Sequence, residues 1–149
     1  MLERDKNASK EYTLKNIEDR ICQTVEKHFS DSELLALHSV FGVVLQRALD
    51  ILEKYPTLVA YTTSDKHRVL IEIQGDNDRC YRVFPRINFC PCQAFKRQVI
   101  ERRIQVTCKH VLAARIATIL AKTVPHEVTA EQYLMLLRSV FHIEEKQNG

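Results

Sequence analysis

The chain has 149 residues, 45% of them hydrophobic and 28% charged, with three Gly, four Pro and a net charge of +3. That is the size of one domain with its own core, and it excludes collagen-like, low-complexity and wholly disordered classes. The longest nearly apolar stretch, Val111 to Ala121, is interrupted by Arg115 and falls short of the ~18 residues that span a bilayer.

Residues 1–12 are polar, carry no apolar signal-peptide core and are expected to be a disordered tail. Residues 13–149 are expected to form a single domain. Thr13 caps a predicted helix with Leu14, Ile17, Ile21, Val25 and Phe29 on one face. Ser30 and Glu33 make a capping box for a second, longer helix. Its apolar side is Leu34, Leu37, Phe41, Leu45, Ala48, Leu49 and Leu52, and Tyr55-Pro56 stops it.

The period then changes to two. Leu58 to Thr63, Val69 to Gln74 and Cys80 to Phe89 read as three strands of a small antiparallel meander, separated by polar turns. In the third, Tyr81, Val83, Ile87 and Phe89 share one face and Arg82, Arg86 and Asn88 the other. A helix is expected from about Thr107 to Lys122, with Leu112, Ile116, Ile119 and Leu120 buried. Pro125 is read as a break. Thr129 and Gln132 cap a last helix carrying Tyr133, Leu134, Leu137, Val140 and Phe141. The fold class is therefore α+β: a small meander flanked by N-terminal and C-terminal helices.

The five Cys are an odd number, so reduced thiols or metal ligands are expected rather than a disulfide framework. Three of them form a pattern with a histidine: Cys90-Pro91-Cys92, fifteen residues, then Cys108-Lys109-His110. Two short thiolate and imidazole pairs joined by a loop suit tetrahedral Zn²⁺. Residues two apart in an extended chain project to one side, so Cys90 and Cys92 can share an ion. The second pair falls where a helix begins, and the positive end of a helix favours the Cys108 thiolate. Four protein ligands leave no open position, so one structural Zn²⁺ per chain is expected, with no catalytic residues. A Cys108 nucleophile with His110 as base is disfavoured, because two residues so close at a helix start do not align for catalysis. Cys22, Cys80, His28, His38, His67, His126 and His142 show no ligand spacing and are read as core or surface residues.

The pattern CxC, a gap, then CxHxxA ending on Ala113 resembles the SWIM-type zinc finger. The resemblance implies zinc ligation by Cys90, Cys92, Cys108 and His110, with Ala113 packed closely behind them. It implies strands ending on CxC, CxH opening a helix, and a module spanning about 57–122. The helices before the strands and the run Phe41-Gly42 … Ala48-Leu49-Asp50 resemble, more broadly, the SWIM subunits of the Shu complex. That resemblance implies a nuclear adaptor that pairs as a heterodimer with a RecA-like recombinase paralog, an ATPase, and promotes homologous recombination and DNA repair. The chain has no GxxxxGK[ST] loop of its own, so a partner would supply any P-loop ATP site. No membrane or small-molecule substrate is expected.

Charge placement leaves an alternative open. Nine basic residues between Arg79 and Arg115 are opposed by Glu101 alone, a local charge of +8 that leaves −5 for the rest of the chain. A basic segment meets either nucleic acid or an acidic protein. Lys96, Arg97, Arg102, Arg103 and Lys109 are the candidate contacts, and a direct DNA-binding zinc-finger protein is the alternative function.

Overall fold

The computed structural model describes residues 28–141. The expected tail, Cys22, His142 and nearly all of the first predicted helix lie outside the described residues. No helix among these residues is long and apolar enough to cross a membrane.

Helix α1 (Asp31–Phe41) opens on the predicted capping box. Ser30 Oγ accepts the Glu33 N–H, and the Glu33 carboxylate accepts the Ser30 N–H at 2.8 Å. The helix does not run on to Leu52 as expected. Gly42 sits at φ +54 and ψ −130, ends α1, and lets α2 (Val43–Lys54) start in a new direction. A side chain would strain that backbone, so the break falls on glycine. Helix α2 buries Val44, Leu45, Ala48 and Leu52, whereas α1 buries none of its residues completely.

The three predicted strands form, and pair antiparallel: β1 (Leu58–Thr62), β2 (Val69–Gln74) and β3 (Cys80–Val83). β3 stops well before Phe89. Ile71 pairs with Val83, so the same register would set Pro85 against Val69, where β2 begins. Proline has no N–H for the ladder there. Ile87, which the alternation puts on one face with the buried Val83, is exposed. CxC therefore follows β3 in irregular backbone instead of closing the strand.

A fourth strand was not expected. β4 (Thr123–Glu127) lies parallel to β1, with Ala60 opposite Pro125, in a sheet of order β3-β2-β1-β4. Pro125 does not break the chain: β4 is an edge strand, where a missing N–H is tolerated. The sheet is thus mixed, and residues beyond 122 complete it.

Each face of the sheet carries its own cluster. Leu58, Ala60, Ile71, Ile73 and Val83 join the buried residues of α2 and of α3 (Lys109–Ile119) in the main core. Leu70 points the other way and packs with Tyr133 and Val140 of α4 (Ala130–Val140). Glu72 and Arg82 are cross-strand partners on this side, bonded at 3.0 Å, and Arg82 also donates to Ser139 Oγ of α4 at 2.7 Å. Helix α4 has its predicted cap: Thr129 Oγ1 accepts from Gln132 N–H at 3.2 Å.

Helix α3 begins at Lys109 with Cys108 as its N-cap. Leu112, Ile116 and Leu120 are buried as expected, but Ile119 is 56% exposed. It follows Arg115 by one turn and shares that residue's outward side. The expected loop between the ligand pairs contains a π-helical segment, Phe95–Glu101.

Candidate metal centre

Two separate pieces of chain deliver the four candidate ligands. Cys90 and Cys92 lie on the backbone after β3. Cys108 caps α3, and His110 stands in its first turn. Their ligand atoms all lie within 4.8 Å of one another and all four residues are buried. A tetrahedron with metal–sulfur bonds of ~2.3 Å has sulfur–sulfur edges of roughly 3.8 Å. His110 Nδ1 is 3.7 Å from Cys90 Sγ.

The chemistry of this donor set fits a divalent cation. Three sulfurs this close cannot all ionise on their own. Hydrogen bonds from the Cys108 and Cys90 thiols hold Cys92 well below the ordinary thiol range, and the Phe95 N–H, 3.3 Å from Cys92 Sγ, helps. Cys90 is driven up by its hydrogen bonds with Cys108 and Cys92 and by burial. At Cys108 the hydrogen bond from Cys90 lowers the pKa, but the Cys92 bond and burial outweigh it and hold the thiol at about 11. The Val111 N–H, in the first turn of α3, also favours the Cys108 thiolate. A shared cation is the ordinary way to hold three thiolates and an imidazole together. His110 Nε2 is also buried with no hydrogen-bond partner among the described residues.

The supporting residues include several that the spacing of the motif does not reveal. The Tyr81 ring, from β3, stacks on the His110 imidazole with centroids 4.3 Å apart. Gly75 makes room for it: a Cβ there would meet Tyr81 Cε2 at 2.5 Å. Asn88 bridges the two ligand segments. Its Nδ2 donates to Val106 O at 2.8 Å, and its Oδ1 accepts from Thr107 Oγ1 at 2.6 Å. Lys109, between the two α3 ligands, donates to Asp76 at 2.7 Å and holds that carboxyl below the usual carboxylate range. The period-two pattern puts Tyr81 on one face with Val83, yet its stacking partner is 29 positions away in sequence. Ala113, in the turn of α3 after His110, is fully buried.

The candidate basic contacts are placed differently. Lys96, Arg97, Arg102 and Arg103 are exposed on or just after the π-helical segment. Lys109 is half-buried and committed to its ion pair. Among the described residues, His28, His38, His67 and His126 take no part in the metal-ligand cluster. Cys80 is an exposed free thiol.

The chain is 30% identical over 111 residues to zinc finger SWIM domain-containing protein 7 of Danio rerio, an alignment spanning 74% of this chain and 78% of that protein. The chain belongs to the SWIM-type zinc-finger family. The Homo sapiens protein of the same name is 25% identical over 119 residues, 80% of this chain and 81% of the relative. That of Mus musculus is 28% identical over 107 residues, 72% and 69% of the two chains. No family model matches the chain, and no solved structure matches it significantly. In this SWIM-type protein the CxC and CxH pairs are the residues that the fold collects into one buried Cys3His cluster able to hold one metal ion.

Proposed function

We propose that this chain is a non-enzymatic adaptor built around one structural Zn²⁺, held by Cys90, Cys92, Cys108 and His110. It pairs in the nucleus with a RecA-like recombinase paralog as a Shu-type heterodimer and promotes homologous recombination and DNA repair. The observation that carries the zinc-adaptor reading is the closed, buried Cys3His set. Three sulfurs and an imidazole suit zinc. Four protein donors leave no position for a substrate or an activated water, so the bound metal supplies cross-linking of β3's following segment to α3 and no chemistry. The repair role and the partner are supported by the likeness to SWIM domain-containing protein 7 and by the absence of a P-loop in the sequence.

The test is co-expression of the full chain with the RecA-like paralogs of its own organism, followed by elemental analysis of the purified complex. One zinc per chain and a stable 1:1 complex are expected. Less than half an equivalent of zinc in folded protein overturns the metal assignment, and the absence of association with every paralog overturns the adaptor role.

A second reading, direct DNA binding through the basic 79–115 segment, is favoured by the exposure of Lys96, Arg97, Arg102 and Arg103. Its signature is DNA affinity of the isolated chain that falls steeply with salt.

A further inference from the structure

Single apolar residues on a surface are ordinary. Those around the zinc module are grouped. Ile87 and Ile100 are each 54% exposed, Val106 59% and Ile104 66%. Backbone and side-chain bonds gather them. Asn88, next to Ile87, donates to the carbonyl of Val106. The N–H groups of Ile104 and Gln105 both donate to Gln98 O, tying Ile104 to the π-helical segment that carries Ile100. Arg103, at φ +55, turns the chain between the two. Ile104 and Val106 are two residues apart.

The same stretch of chain is basic. Arg86, Lys96, Arg97, Arg102 and Arg103 are exposed along it, and Glu101 is the one acid between Arg79 and Arg115. The ion pairs seen among the described residues involve Arg82 and Lys109 instead. Of the aromatic residues here, Phe95 is buried and meets the half-buried Phe89, which stacks on Phe141 at the described C-terminal end. The exposed large apolar side chains of the 79–115 segment are all branched aliphatics. Nucleic-acid surfaces use the opposite combination, cations with aromatic platforms. A protein segment is the better match, and its apolar side chains would need an acidic surround.

We infer that the aliphatic and arginine-rich face formed by Ile87, Ile100, Ile104 and Val106 is the surface on which the partner subunit docks, through a segment of apolar side chains flanked by Asp and Glu. This rests on the adaptor reading above and adds to it where the partner binds and with what chemistry. It also couples association to the metal, because the Asn88–Val106 bond that brings Ile87 to Val106 also ties the two ligand segments together.

The experiment uses the full zinc-loaded chain and the RecA-like paralog that it retains. Affinity is measured for the unmutated chain, for Ile104→Asp, for the milder Ile104→Ser, for Arg102→Glu with Arg103→Glu, and for Leu35→Asp, an exposed position in a groove that Leu34 and Leu35 of α1 form with Leu45 and Leu49 of α2. Zinc content is measured for each. The expected result is a loss on the order of tenfold or more for Ile104→Asp, a smaller loss for Ile104→Ser, slower and less salt-sensitive association for the double arginine variant, and no change for Leu35→Asp, all with one zinc retained. Unchanged affinity in the Ile104 variants, or a loss confined to Leu35→Asp, overturns this inference and leaves the adaptor reading standing. An unmutated chain that retains no paralog overturns both. Duplex DNA that binds the chain and is released by the arginine changes, but not by the Ile104 changes, assigns this face to nucleic acid and also overturns the inference.

Discussion

Asn88 accepts the Thr107 hydroxyl hydrogen at 2.6 Å, across nineteen residues of sequence. Asn88 stands two residues before Cys90 and Thr107 one before Cys108, so this bond ties the two ligand pairs together. Such orienting partners typically change metal affinity by 10–100-fold. Asn88→Ala is expected to weaken zinc retention by about that factor, while Asn88→Asp, which keeps an acceptor for Thr107 Oγ1, is expected to lose less. Competition against a chromogenic chelator reads both. Equal zinc affinity in Asn88→Ala and the unmutated chain would remove Asn88 from the support of the site.

The Tyr81 ring over His110 gives a second prediction. Gly75→Ala places a methyl group within 2.5 Å of Tyr81 Cε2, and the ring has to leave its stacked position. Gly75→Ala and Tyr81→Ala are both expected to speed zinc release. Tyr81→Phe keeps the ring and is expected to release zinc at close to the unmutated rate. Stopped-flow chelation orders the four proteins, and a fast Tyr81→Phe would show that the hydroxyl matters more than the stack.

Thiol reactivity separates the cysteines. Cys80 is exposed, but burial of its sulfur and the nearby Glu72 carboxylate push it up to about 11. Only the thiolate reacts. At pH 8 its alkylation is therefore expected to be roughly two orders of magnitude slower than that of an ordinary thiol with pKa ~8.5, with the rate rising until the pH passes about 11. Cys90, Cys92 and Cys108 are expected to react only after a chelator is added. Mass mapping of alkylated peptides tests both parts, and rapid labelling of Cys108 in untreated protein would contradict the buried metal centre.

The two capping boxes are alike in geometry and differ in what their helices bury. Thr129 caps α4, which buries Tyr133 and Val140, whereas Ser30 caps α1, which buries nothing completely. Removing such a cap costs about 1 kcal/mol of helix stability. Thr129→Ala is expected to lower global stability by about that amount. Ser30→Ala is expected to increase hydrogen exchange in α1 and leave the denaturant midpoint nearly unchanged. A large midpoint shift in Ser30→Ala would mean that α1 is coupled to the core more tightly than its burial shows.

Much of this molecule is local enough to be read from the amino-acid sequence. The CxC and CxH pairs, the capping boxes at Ser30 and Thr129, and the inward positions Tyr81 and Val83 each depend on neighbours within a few residues. The alternation of β2 likewise predicts a strand before its partners are known. The parallel pairing of β4 with β1 does not follow in this way. It joins Leu58 to Thr123 across most of the domain, and the energy that makes Pro125 acceptable comes from the edge position it occupies. The end of β3 depends on where β2 begins, and the exposure of Ile119 on which side of α3 the sheet and α2 cover. The stack of Tyr81 on His110 and the bond from Thr107 to Asn88 unite segments 29 and 19 positions apart. Which residues can bind a metal is legible in the order of side chains, because ligand chemistry resides in them. How those residues are held is settled by packing between segments whose separation along the chain carries no information about their distance in space.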